Sequence, residues 1–230
     1  MKDLQVTLYD IFGYLLPGFV FLAGIAILIG AIFMPSSPIS LSTTAIDNWI
    51  VIVIGAYIAG HMVQAIANII TKKLPSAESL ILEKGHPESF PGDVIDLVES
   101  EVRSTLGIKS KTMKPGFIYQ VCDEAVLQFG VTSDRDIYIY REGFYRGLTV
   151  SFMVLVLGLT VRVLIPGASL NVSEKVQPLS TLLLLFFDAL SLLAAWLSFN
   201  RYKRFGGYRV RGALIGFLLL GNKKIPAKTK

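Results

Sequence analysis

The sequence predicts an all-α integral membrane protein: four transmembrane helices, with a small helical cytoplasmic insert between the second and third. Three observations predict it. Of 230 residues, 53% are hydrophobic and only 17% charged, against about 25% charged in average soluble domains. The apolar residues gather in four stretches, 14–33, 49–70, 144–165 and 179–199, each nearly free of charge. At about 1.5 Å per residue, roughly 20 residues of helix cover the ~30 Å of a bilayer core. Lysine and arginine are also unevenly placed. Residues 34–48 contain neither and residues 166–178 contain only Lys175, whereas residues 71–145 contain nine and the tail from Arg201 another nine with no acid. The positive-inside rule then puts both termini and the long middle segment in the cytoplasm.

This composition excludes disorder, a collagen-like fibre and a disulfide scaffold. Residues 1–10 carry one lysine and two aspartates, a poor cationic start for a signal peptide, so the first span is expected to be retained. The organisation expected is a helix pair (1–71), the insert (72–143), a second helix pair (144–200) and a basic juxtamembrane tail (201–230). Cys122 is the only cysteine and is expected as a buried, inert thiol on the cytoplasmic side.

Ahead of the first span Asp10 is a candidate cap for its helix, and Pro17, early in the span, is expected to kink the helix or free carbonyls near the cytoplasmic interface. In the insert, Pro91-Gly92-Asp93 opens a helix with Asp93 as its cap. Ile95, Val98, Val102 and Leu106 mark its apolar face ahead of Gly107. A second helix is expected over 115–130, with Phe117, Val121, Ala125 and Phe129 or Val126 at helical spacing. A third, capped by Ser133 or Asp134, should continue into the third span without a break.

Polar residues inside the spans are the first candidates for chemistry. Tyr57, His61, Gln64 and Asn68 recur at i, i+4, i+7 and i+11, forming one stripe on the second helix. On the fourth, Asp188 lies near the midplane with Ser191 and Ser198 on the same side. A carboxylate at that depth costs about 2.5–3.5 kcal/mol on insertion scales, so it should face protein or water. His61 and Asp188 differ in depth by about 5 Å at the helical rise and are within reach of each other. Such a stripe serves either as a proton- or ion-sensing path or as interhelical hydrogen bonds that fix packing and oligomer register. Arg162, one turn from the outer end of its span, is expected to snorkel to the head groups. Gly18, Gly24, Gly30 and Ala56-xxx-Gly60 permit close helix approach.

Beyond the last span, Arg201, Lys203, Arg204, Arg209 and Arg211 alternate with aromatic residues. A ten-residue apolar run, 212–221, and four further lysines, Lys223, Lys224, Lys228 and Lys230, follow. Ten residues cannot cross a bilayer. The tail is expected to contact anionic membrane lipids or a partner, with the run dipping into the leaflet or packing on the insert. Nucleic acid is the less favoured partner, since lipid competes for the same charges. No Walker loop, dinucleotide fingerprint, nucleophile elbow or metal-ligand pattern occurs. Neither an enzyme, a cofactor nor a metal is therefore expected.

Two segments, Tyr9-Asp-Ile-Phe-Gly-Tyr-Leu-Leu-Pro-Gly-Phe19 and Arg141-Glu-Gly-Phe-Tyr-Arg-Gly147, resemble the opening and third-span entry of small four-span bacterial inner-membrane proteins. Some of those are encoded beside anti-phage defence genes, where such a subunit acts as membrane sensor or effector next to a soluble partner. The resemblance covers about 20 residues and brings no catalytic motif. The concentration of soluble mass on one side, the small outer loops and the absence of catalytic motifs point to a non-enzymatic, homo-oligomeric sensor or scaffold that docks a cytoplasmic protein. The resemblance adds anti-phage defence as its setting. The residues themselves leave open an oligomeric ion channel or pore lined by the polar stripe. A small transporter is the weakest reading, because inverted repeats and paired broken helices are lacking.

Overall fold

A computed structural model describes residues 2–33, 49–83, 86, 89–108, 113–129, 135–165 and 181–222, with side chains from residue 11 to residue 220. Among these, helix is the only regular structure. The elements are α1 (Lys2–Phe33), α2 (Trp49–Thr71), α3 (Ala77–Leu82), α4 (Gly92–Leu106), α5 (Pro115–Gln128), α6 (Arg135–Leu164) and α7 (Thr181–Asn222). Four of them contain stretches long and apolar enough to cross a membrane: Ile11–Phe33, Trp49–Thr71, Arg135–Leu164 and Thr181–Leu220. The expected cap at Ser133 or Asp134, the segments 34–48 and 166–178, and Lys223, Lys224, Lys228 and Lys230 lie outside the described residues.

The chain divides into two compact units. The first comprises Met1–Thr71 and Tyr140–Tyr202. Its packing depends on missing side chains. A Cβ on Gly18 would collide with the carbonyl of Ala56, and one on Gly60 with the carbonyl of Tyr14, so α1 and α2 touch backbone to backbone. On another face of α1, a Cβ on Gly24 would fall 2.7 Å from the Leu155 amide nitrogen, and one on Gly158 the same distance from the Gly24 carbonyl oxygen. Lipid is as apolar as leucine, so helices in a bilayer associate through such close contact rather than through burial from water. The small residues seen in the sequence therefore join α1 to its two neighbours within one chain. The outward faces of α2 and α7 keep large exposed residues, among them Ile58, Met62, Leu182 and Phe186.

One local expectation for α1 changes. The helix is already formed at Lys2, so Asp10 lies within it rather than at its cap. It also runs uninterrupted through Pro17, whose carbonyl accepts a hydrogen bond from the Ser151 hydroxyl at 2.8 Å.

The second unit comprises Lys72–Ile139 and Lys203–Lys230. Its core is formed by Ile81 and Leu82 from α3, Ile95, Val98 and Val102 from α4, Ile118, Cys122 and Val126 from α5, and Val210, Leu214 and Phe217 from α7. The apolar run after Arg211 is thus helical and packed on the insert. α4 starts at an N-cap Pro91 and ends on Gly107, whose φ of 65° is the left-handed cap conformation that glycine adopts without a Cβ clash. Asp93 sits in the first turn, not at the cap, and Leu106 is exposed although its three partners are buried. α5 opens with proline in its first turn, where the missing N–H is harmless. Its buried face is Ile118, Cys122 and Val126, one position from the expected face, and Phe117 and Phe129 are exposed. Helix α3, capped by the Ser76 hydroxyl on the Ser79 amide, had no counterpart in the expectation. The uninterrupted run of α6 from Arg135 to Leu164 agrees with it.

Candidate functional site

The polar stripe of α2 lies beside a buried face of Ala56, Ala59, Gly60, Val63 and Ala67. Tyr57, His61 and Asn68 are exposed and Gln64 is half-buried. The His61 ring stacks on Tyr14 of α1, with centroids 3.8 Å apart and planes 20° from parallel, and Tyr57 meets both rings edge-on. Gln64 reaches α6, where its Nε2 donates to the Gly143 carbonyl at 2.8 Å. Gly147 leaves room for it, since a Cβ there would come within 2.6 Å of the amide nitrogen. The remaining amide oxygen, Gln64 Oε1, is buried with no hydrogen-bond partner. Asn68 closes the stripe near the helix end, where its carbonyl and that of Ala67 face the Thr71 hydroxyl.

Asp188 belongs to a different pairing. Its Oδ2 accepts from the Thr160 hydroxyl of α6 at 3.0 Å, and its Oδ1 is buried without a partner. Ser191 and Ser198 are buried on the same helix. No hydrogen bond or ion pair joins His61 to Asp188. The polar residues therefore form two groups, one linking α2 to α1 and α6, the other linking α7 to α6. Arg162 also departs from expectation. Its side chain is fully buried, with Nη1 3.4 Å from the Gly30 carbonyl of α1, instead of extending outward. Near a span end, an arginine can snorkel or turn inward to a carbonyl, and the position alone does not distinguish the two.

The five tail cations separate as well. Arg201, Lys203 and Arg204 are exposed, and Arg204 Nε donates to the Tyr208 hydroxyl one turn on at 2.8 Å. Arg209 points into the second unit, where it pairs with Glu78 of α3 at 3.1 Å and hydrogen-bonds the Tyr119 hydroxyl of α5. Arg211 lies over the Phe90 ring, 6.0 Å from its centroid.

The insert holds a polar group that sequence reasoning missed. Arg135, in the first turn of α6, grips Asp123 of α5 with two hydrogen bonds, Nε to Oδ1 and Nη2 to Oδ2, both 2.6 Å. Glu78, Tyr119, Asp123, Arg135 and Arg209 thus bring two acids and two arginines around one phenol. Burial pushes the Tyr119 hydroxyl above its ordinary range. The Cys122 thiol is pushed up to about 12, first by burial and then by the Asp123 charge. That makes it a protonated core group, not a nucleophile. The available signal was the spacing of Tyr119 and Asp123, one helical turn apart along the edge of the apolar face of Ile118, Cys122 and Val126.

No family model, curated protein or solved structure matches this chain.

Proposed function

We propose that the chain is a non-enzymatic, homo-oligomeric sensor or scaffold subunit of a bacterial inner membrane, working beside a soluble partner as in anti-phage defence. In this reading both termini and the second unit are cytoplasmic, and the partner docks there. The observation that carries it is the second unit itself: the insert and the end of α7 share one packed core outside the two expected helix pairs. Such a unit offers a folded surface, and it coincides with the basic segments that the positive-inside rule assigns to the cytoplasm. Arg201, Lys203 and Arg204, exposed at the end of the last apolar stretch, suit anionic lipid head groups.

Native mass spectrometry of the protein, extracted mildly from its own host, tests the proposal. The expected result is a defined homo-oligomer carrying a soluble protein, with that protein lost when the insert is deleted. A lone monomer that never retains a partner would refute it.

The second reading is an oligomeric channel or pore-forming effector. Two acceptors in the apolar helices, Gln64 Oε1 and Asp188 Oδ1, favour it, because they are buried within the protomer without a partner and water entering between its helices would satisfy them. A pore predicts ion flux in liposomes that changes in Asp188→Asn. Wild type and variant that leak no more than empty vesicles would dismiss it.

A further inference from the structure

The last apolar helix shows how this chain treats a face turned to lipid. Between Leu182 and Leu197 every exposed residue of α7 is leucine, phenylalanine, alanine or tryptophan, while Ser191 is buried and Asp188 half-buried. On α2 the arrangement is reversed. Tyr57, His61 and Asn68 are exposed on the span Trp49–Thr71, with His61 near its middle. Tyr14 and Tyr57 meet the imidazole ring to ring. Among the described residues, no hydrogen bond reaches its nitrogens, the Tyr57 hydroxyl or the Asn68 side-chain amide. Hydrocarbon offers such groups no partner, so within an apolar span they belong against protein or water.

We propose that a second copy of the chain covers this face. Two protomers pair in parallel along α2, across a two-fold axis parallel to the membrane normal, so that His61 and Asn68 meet His61 and Asn68 of the partner subunit. Spacing supports a helix as the occupant. Ile54, Ile58, His61, Ala65 and Asn68 follow one another at steps of four and three, and all five are exposed. They lie opposite the buried face of Ala56, Ala59, Gly60, Val63 and Ala67. Steps of four and three are the repeat along which two helices pack in a left-handed seam. Ala65, between the two polar positions, is small enough for close approach.

Self-complementarity identifies that helix as the same one from another copy. An imidazole and a carboxamide each carry a donor and an acceptor, so each can bond its own like. Copies inserted in the same sense hold His61 at one depth and Asn68 at another, two turns along. A parallel two-fold pair brings like to like at both levels, and slipping by one step breaks both. Polar side chains at seam positions thereby fix the register. The proposal rests on the homo-oligomeric reading and names the surface that reading leaves open.

Disulfide cross-linking in native membranes tests the seam. Cys122 is fully buried, so it stays in place and wild type is the blank. A disulfide needs Cα atoms within about 7 Å, so Ile58→Cys and Ala65→Cys should form dimers about tenfold faster than Ile66→Cys, an exposed position on the flank. On dilution into detergent, His61→Leu and Asn68→Leu should each associate about tenfold more weakly, the scale of one or two interhelical hydrogen bonds. His61→Gln, which keeps a donor and an acceptor, should associate like wild type. Leucine suits an exposed position in a span, so unfolding does not mimic the loss. Cross-linking that ignores position, products formed with a different protein, or full association of both leucine variants would overturn the seam. An oligomer that survives in native mass spectrometry would then leave the homo-oligomeric reading standing without this interface. A monomer there would remove both.

Discussion

Gly18→Ala is expected to lose about 3 kcal/mol of stability, at the upper end of the usual cost of overpacking, although alanine is the better helix former. The neighbour is backbone, not a side chain that can turn aside: the new methyl would collide with the Ala56 carbonyl. Moving it away means separating α1 from α2 along a contact that includes the Gly60 approach to Tyr14 and the stack of Tyr14 on His61. Gly55→Ala is the matched control. Its Cβ would meet only Leu22 Cδ1, at 3.9 Å, so the intrinsic preference for alanine, up to about 1 kcal/mol, should show. Thermal unfolding of the purified proteins in one detergent compares them. Gly18→Ala as stable as wild type would mean that the glycine seam does not hold the helix pair.

Phe217→Ala should destabilise the second unit by about 3–5 kcal/mol, the range for deleting a buried phenylalanine. Leu219→Ala, two residues on, should cost little. Phe217 is 6% exposed and part of the core that joins α7 to α3, α4 and α5, whereas Leu219 is 55% exposed. An apolar run adsorbed in a leaflet would show no such contrast. Denaturant titration followed by Cys122 reactivity gives the difference directly, since the thiol lies in the same core. Equal effects from the two substitutions would contradict the packing of the tail on the insert.

That contrast shows why parts of the molecule were legible in the sequence and parts were not. Four long apolar stretches need no knowledge of neighbours, since length and the absence of charge are properties of one segment. The polar stripe of α2 was legible for the same reason, being a periodicity on one helix. Its partners were not. Which helix faces Gln64 or Asp188 depends on how helices pair, and in lipid an apolar face reads alike whether protein or hydrocarbon covers it. Thr160, which receives Asp188, looks like an ordinary span residue in the sequence, and Gly143, which receives Gln64, lies just before the third apolar stretch. In the tail, cations beside a short apolar run pointed to the membrane surface. Yet Val210, Leu214 and Phe217 already had the spacing of a buried helical face. The acids that neutralise Arg135 and Arg209 are far less obvious, because Asp123 lies 12 and Glu78 131 residues away.

The length of α7 bears on the arrangement as well. Its 42 residues would extend about 63 Å at the helical rise, twice a bilayer core. Its last turns therefore exceed what a crossing needs and are free to belong to the second unit.

Docking of a cytoplasmic partner requires the second unit on the cytoplasmic side, and labelling of intact cells with a membrane-impermeant maleimide tests this most directly. In a Cys122→Ser background, a cysteine placed at Ser40, between the first two spans, should react in intact cells. One placed at Ser100, on the exposed side of α4, should react only after permeabilisation. The reverse pattern would put the second unit outside and contradict docking to a cytoplasmic partner.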